Sequence, residues 1–293
     1  MPPKYSNYAI VFSFVGLWFS SHITKEYQVF VGFLFILSFG ILHGANDIFI
    51  AKKLLTEKKS TSFSQLFLYY ISVVFLGGLL FYLLPIFALL LFILFSGYHF
   101  GEQQLNYVKT NKIQTILFQT FSGLLVLFML FYFHANDVQL VIYDISGFVV
   151  SNLLISKCLI SILIGFLVLY LYIYAKPSTN KKKLLIELFY LLVFGILFKV
   201  GSLIWGFALY FIVWHSIPSL IDQIKFLYGD FSKDNFVKYV KSALLYWTVS
   251  IAGLALFYFL FNEVKLFNSL FFSFLAAITF PHVFLIVKMF GKK

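Results

Sequence analysis

Apolar stretches long enough to cross a bilayer follow one another almost from end to end of this chain, separated only by short polar breaks that carry lysines. A spanning helix needs roughly 20 mostly apolar residues, so the pattern predicts a polytopic membrane protein. Only 11% of the residues are charged and the mean hydropathy is +0.94, far from what a soluble domain needs. Inside lipid the chain itself must satisfy every backbone polar group. The expected fold class is therefore all-α, an integral membrane helix bundle forming one domain over residues 1–293.

The apolar runs, set against their breakers, mark about ten transmembrane helices, at about 6–22, 28–50, 65–84, 86–107, 113–133, 151–175, 184–199, 203–224, 242–262 and 267–289. At Pro85 either two helices or one kinked helix would serve, and Lys199 to Gly201 demands a tight turn. Residues 134–150 are polar enough for a loop or an interfacial segment.

Charge tests this threading. All 22 basic residues are lysine, and with the N-terminus inside, 18 of them fall on the cytoplasmic side, against Lys25, Lys157, Lys199 and Lys265 outside. An even number of spans with both termini cytoplasmic is the expected topology, multi-pass in the inner (plasma) membrane. The net charge of +11 then reads as anchoring against an anionic leaflet of the lipid bilayer. Without arginine no guanidinium can grip a phosphate, and nucleic acid is not an expected partner. The lone cysteine, Cys158, allows neither a disulfide framework nor a thiolate metal site and reads as helix packing. The stretch from Tyr8 to Ser20 is read as a retained first helix, because further spans follow at once and no small-residue cleavage pattern is present. The 41 phenylalanines read chiefly as lipid contact and helix packing, with some of them lining an apolar tunnel as a sharper reading.

Six histidines occur. His22 and His134 fall at outer ends of spans, whereas His43, His99, His215 and His282 lie inside apolar stretches, where ionisable groups are costly and suggest function. These four sit on the second, fourth, eighth and tenth spans, which all run from outside to inside. His43 precedes Lys52 by nine residues, and His99, His215 and His282 precede Lys109, Lys225 and Lys292 by ten each, setting aside Lys288. At about 1.5 Å per residue they share a depth of roughly 14–15 Å from the inner lysines. A single buried histidine is commonly a packing residue, but four at one depth point to a metal such as Fe, Zn, Cu or Ni.

Two acids share a helical face with these histidines: Asp47, four residues after His43, and Glu102, three after His99. Each would accept the second ring proton of a ligating histidine or, equally, pair with an inner lysine. Asp222, seven after His215, reads as a lysine partner. A membrane di-iron desaturase is excluded, since no histidines are paired three to four apart, and a diheme cytochrome would need two axial histidines on one helix. A transporter or proton relay, and a non-catalytic carotenoid- or retinal-binding accessory protein for a rhodopsin, remain as rivals to a metal enzyme.

At the four histidines the sequence resembles the Brp/Blh family of membrane carotenoid oxygenases. The matching stretches are FGILHGANDIF at 39–49, SGYHFGEQ at 96–103, WHSIPSLIDQ at 214–223 and FPHVFLIVKM at 280–289. The resemblance implies cleavage of β-carotene at its central 15,15′ double bond by O2, with Fe(2+) as cofactor and two all-trans-retinal as products. It also implies that His43, His99, His215 and His282 are the metal ligands and catalytic centre, with Asp47 and Glu102 in support and a retinal-consuming rhodopsin downstream. One position departs from the family pattern, in which a second histidine often follows four residues after the first; here Ser219 stands there. Aromatic rings close to the ligands in sequence, Phe39, Tyr98, Phe100 and Trp214, are the expected substrate-binding residues, able to stabilise cationic polyene character. Phe39 lies one helical turn before His43.

Overall fold

Because an α-helix satisfies its own backbone ladder, a chain this apolar has few alternatives. The computed structural model describes residues 3–55, 62–108, 110–261 and 264–291, and among them there is no strand. In chain order the helices are α1 (Pro3–Ser20), α2 (Lys25–Phe35), α3 (Asp47–Leu55), α4 (Phe63–Leu83), α5 (Pro85–Gln104), α6 (Lys112–Phe133), α7 (Ala135–Ser146), α8 (Asn152–Ala175), α9 (Lys181–Val200), α10 (Leu203–Leu209), α11 (Ile217–Tyr228), α12 (Lys233–Phe261) and α13 (Val264–Gly291). Two π-helical segments interrupt the series, Ile36–Gly40 after α2 and Tyr210–Ser216 between α10 and α11. Of the lysines in the charge argument, Lys58, Lys59, Lys109, Lys292 and Lys293 lie outside the described residues.

Helix ends follow local chemistry. Ser62, Asn111, Ser151, Asn180 and Ser202 each cap the next helix by accepting a backbone N–H three residues on, which relieves one of its orphan donors. Pro85 opens α5 at the first helical position, where a missing N–H costs nothing, so two helices meet there. Gly201 ends α9 and Ser202 starts α10, which makes the tight turn. Residues 135–146 are helical: α7 follows α6 directly and stops at Gly147, whose φ of 69° suits glycine.

Seven segments among the described residues are long and apolar enough to cross a membrane: α4, α5, α6, α8, Leu203–Tyr228, and Lys233–Leu256 and Leu270–Gly291 within α12 and α13. The other three expected spans are helical but differ in kind. α1 opens with Lys4, Ser6 and Asn7, and α9 carries Lys181, Lys182, Lys183, Glu187 and Lys199. The stretch expected as one span over 28–50 is broken into α2, a π segment, a turn at residues 43–46 and α3. Glycines at 40 and 44 and the polar Asn46 favour that break. Large apolar side chains such as Phe12, Trp18, Phe75 and Tyr82 point outward, as lipid contact requires.

The chain divides into two compact units. One comprises Met1–Phe35, Ile93–Leu140 and Val149–His215. Its core joins α1, α6, α9 and α10 around Phe194, Phe198, Trp205 and Tyr210, and α6 to α8 through the stacked rings of Phe118 and Phe166. Within it α5 and α6 cross at backbone distance: a Cβ on Gly101 would strike the carbonyl oxygen of Gln119, and one on Gly123 that of Gly97. Gly97 and Gly101 form a small-x-x-x-small pair facing α6. At roughly 100° per residue, His99 then points to the opposite side of the helix.

The other unit comprises Ile36–Phe92, Val141–Phe148 and Ser216–Lys293. Here α3 and α13 pack through Ile50, Leu54, Ile286 and Met289, while Gly77 of α4 lets Ala277 and Phe280 of α13 approach. Within α13, Pro281 has no N–H to give the helix ladder, one residue before His282.

A π segment shifts the ladder by one residue and leaves a carbonyl without its usual N–H. Aromatic donors from distant helices take up these carbonyls. Trp247 Nε1 donates to the oxygens of Leu37 and Ser38 at 2.9 and 3.1 Å, and the Tyr5 hydroxyl donates to Val213. Trp247→Phe is expected to lower stability by about 1–2 kcal/mol through the stranded carbonyls. Thermal unfolding of the detergent-solubilised protein checks this, against an exposed Phe259→Leu control on the same helix that should be neutral.

Candidate metal centre

Each unit holds one pair of the four buried histidines. In the unit containing α3, α4 and α13, His43 lies just past the first π segment at the start of the 43–46 turn, and His282 follows Pro281. Their ring centroids are 4.8 Å apart and nearly perpendicular. In the other unit His99 of α5 and His215 of the second π segment lie 4.6 Å apart, again edge to face. All four side chains are buried.

The hydrogen bonds on the first pair fix its tautomers. His282 Nδ1 lies 2.8 Å from Asp47 Oδ1, so a neutral ring donates there and carries its lone pair on Nε2. His43 Nδ1 points at the carbonyl of Gly40 and likewise leaves Nε2 as the donor atom. The sequence placed Asp47 beside His43 by helical spacing. The structure corrects the partner: the turn at 43–46 breaks the helical register between them, and the carboxylate, at the start of α3, reaches the helix near the far end of the chain. Its second oxygen, Oδ2, accepts the hydroxyl of Tyr70 at 3.0 Å.

Backbone groups around both pairs are also tied down. The Tyr239 hydroxyl lies 3.1 Å from the His43 carbonyl and 2.7 Å from Gln223 Oε1, and Gln223 Nε2 donates to Ser219 at 3.1 Å. Ser219, which stands where the family pattern often has a second histidine, is thus a fully buried member of a polar network. Asn46 Nδ2 donates to the Tyr239 carbonyl at 2.9 Å, and its oxygen accepts from Ser242. In the other unit Gln103 Nε2 donates to the His215 carbonyl at 3.2 Å. These bonds explain how non-α backbone is tolerated deep in an apolar protein.

The remaining candidates sit as follows. Glu102 is buried; its Oε1 accepts from Tyr98 at 3.4 Å, one turn back, while Oε2 has no hydrogen bond among the described residues. Phe100 packs 4.7 Å from the His215 ring. Phe39 is 43% exposed. Trp214, expected beside a substrate, instead packs among Tyr190 and Phe194 with its indole N–H on Ser13, because the π segment turns it into the core of its unit. Sequence reasoning missed Tyr70, Tyr239, Gln103, Asn46 and Gln223. Asn46, Gln103 and Gln223 stood inside the quoted motifs as polar residues in apolar runs, which was a usable signal; the two tyrosines gave none.

The model of the beta-carotene 15,15'-dioxygenase family matches residues 34–290, a stretch that contains both histidine pairs. The chain belongs to this family. No curated protein and no solved structure matches it. Membership agrees with the resemblance at the four motifs, and it associates the chain with carotene cleavage. The match starts within α2 and leaves out α1, whose part in the unit is packing through Ala9 and Leu17.

His22 and His134 belong to neither pair. His22 is exposed, with Nδ1 on the Trp18 carbonyl at 2.8 Å, and His134 reaches the Phe198 carbonyl through Nε2 at 2.7 Å, where burial lowers its pKa. His22→Ala and His134→Ala are expected to leave product formation within about twofold of the unaltered protein, since surface and helix-end changes act on stability. Chromatography of cell extracts measures this. A loss of more than tenfold in either would move the centre elsewhere.

Proposed function

We propose that the protein cleaves β-carotene at its 15,15′ double bond with O2, giving two all-trans-retinal, and that His43, His99, His215 and His282 together hold Fe(2+). The observation that carries this reading is the sorting of four sequence-distant histidines into two buried edge-to-face pairs, in a chain of this family.

The residues suit such an ion. Neutral imidazoles would leave a divalent ion its full charge, so these four residues could hold Fe(2+) without cancelling it. Asp47 and the Gly40 carbonyl hold two of the rings in the tautomer that presents Nε2. When bound, iron supplies the redox chemistry that activates O2.

The chain's own residues bind, orient and exclude water. β-Carotene has no polar handle, so apolar walls and position along them select the central bond, and access is from the bilayer. Tyr98 and Phe100 flank His99 in sequence, and Phe39 offers a ring face one turn before His43; such faces stabilise positive charge on a polyene. Glu102, joined to Tyr98, stands near His99 as a supporting acid. Trp214 acts through packing, by holding the segment that carries His215. We place the enzyme in the plasma membrane with both termini cytoplasmic, and a rhodopsin is the fitting consumer of its product.

Expression in β-carotene-accumulating bacteria tests the reading. Bleaching with appearance of retinal, and stoichiometric iron in the purified protein, support it. Persistent orange colour without retinal overturns it in favour of a binding role, and absence of metal favours a transporter.

A further inference from the structure

Tyr70 lies on α4 outside every motif, yet its hydroxyl meets Asp47 Oδ2 at 3.0 Å while Asp47 Oδ1 holds His282 Nδ1 at 2.8 Å. We propose that Tyr70 is a positioning residue for the metal centre: its hydrogen bond fixes the Asp47 carboxylate, which in turn fixes the ring plane and tautomer of His282. This inference rests on the metal-binding reading above.

The argument is one of satisfied groups. Asp47 is 1% exposed, and a carboxylate in such surroundings must be held by hydrogen bonds. Two of its contacts are local: it opens α3, where the helix dipole favours an anion, and its own N–H is spent on the Gly44 carbonyl. The carboxylate still has a torsional freedom, and Tyr70 removes it by gripping the oxygen that His282 does not use. The two histidines of this unit are thereby unequal. His43 leans on a backbone carbonyl, whereas His282 leans on a side-chain carboxylate whose orientation a second residue can fix.

Outer partners of a ligating histidine typically contribute 10–100-fold to metal affinity. The test uses the full chain in detergent, stripped by chelator and titrated anaerobically with Fe(II), and with Co(II) as an optical probe. Tyr70→Phe should bind each ion about tenfold more weakly and show an altered Co(II) ligand-field spectrum, with apo stability lowered by no more than the loss of one buried hydrogen bond, about 1–3 kcal/mol. Activity should return in excess Fe(II), which a purely structural defect would not allow. Asp47→Asn should weaken binding at least as much, and adding Tyr70→Phe to it should cost little more, because the tyrosine acts through the carboxylate. Equal affinity and spectrum in Tyr70→Phe and unaltered protein would overturn the assignment of Tyr70 alone. No metal uptake by unaltered protein would overturn the metal reading itself and, with it, this inference. A fall in apo stability with unchanged metal affinity would make Tyr70 a packing residue and defeat the proposal.

Discussion

Retinal formation is expected to disappear on replacing any one of His43, His99, His215 or His282 by alanine. Loss of an outer partner already costs 10–100-fold, so loss of a donor should exceed about a hundredfold. The histidines lie as two pairs, and the experiment asks whether both are needed. If iron were held by the His43 and His282 pair alone, with Asp47 behind it, His99→Ala and His215→Ala would retain both metal and activity. That outcome would sink the four-ligand proposal while leaving a smaller centre standing. Each variant needs a melting curve beside its activity, because removing a buried imidazole also opens a cavity worth about 2–4 kcal/mol. Inactive protein that still folds, with a stability loss no larger than the cavity accounts for and with reduced iron content, is the expected combination.

The second large effect is structural. Gly123→Leu is expected to cost about 3 kcal/mol or more, a large share of the 5–15 kcal/mol that holds a domain folded. Even a methyl group at this position runs into the Gly97 carbonyl, and that neighbour is backbone, which cannot swing aside. The α5–α6 crossing would have to open, and His99 would turn with α5. Gly78→Ala is the control, since nothing lies within 4 Å of the added carbon and the substitution should be neutral or slightly stabilising. Expression level, monodispersity in detergent and thermal unfolding measure both. Wild-type behaviour in Gly123→Leu would show that the close crossing is not required.

Most helix boundaries were readable from the residues because their causes are local. Hydrophobic runs set where a helix can lie in lipid, and Ser, Asn, Pro and Gly mark where it starts or stops, as Ser62, Asn111, Pro85 and Gly201 do. The segment over 28–50 was harder. Its apolar run is continuous enough for one helix, and the break at 43–46 depends on Tyr239 and Ser242 of α12 being there to satisfy the opened backbone and Asn46. Residues 135–146 were ambiguous for the opposite reason, being polar yet still able to form a helix between His134 and Gly147.

The histidines that the structure buries in pairs were likewise visible, since a histidine in an apolar run is conspicuous by its solvation cost. Which group each one meets was not. Helical spacing assigned Asp47 to His43, but its partner is His282, 235 residues away, with Tyr70 on the other oxygen. Nor did spacing foretell that Trp214 would turn into a core. The chain alone determined its solvent, its helices and its candidate ligands, because hydration and backbone propensity act over a few residues. Only tertiary structure decided the pairs, the π segments and the side chains that hold them, because hydrogen bonds to a displaced carbonyl or a buried carboxylate depend on packing between helices that the sequence order keeps far apart.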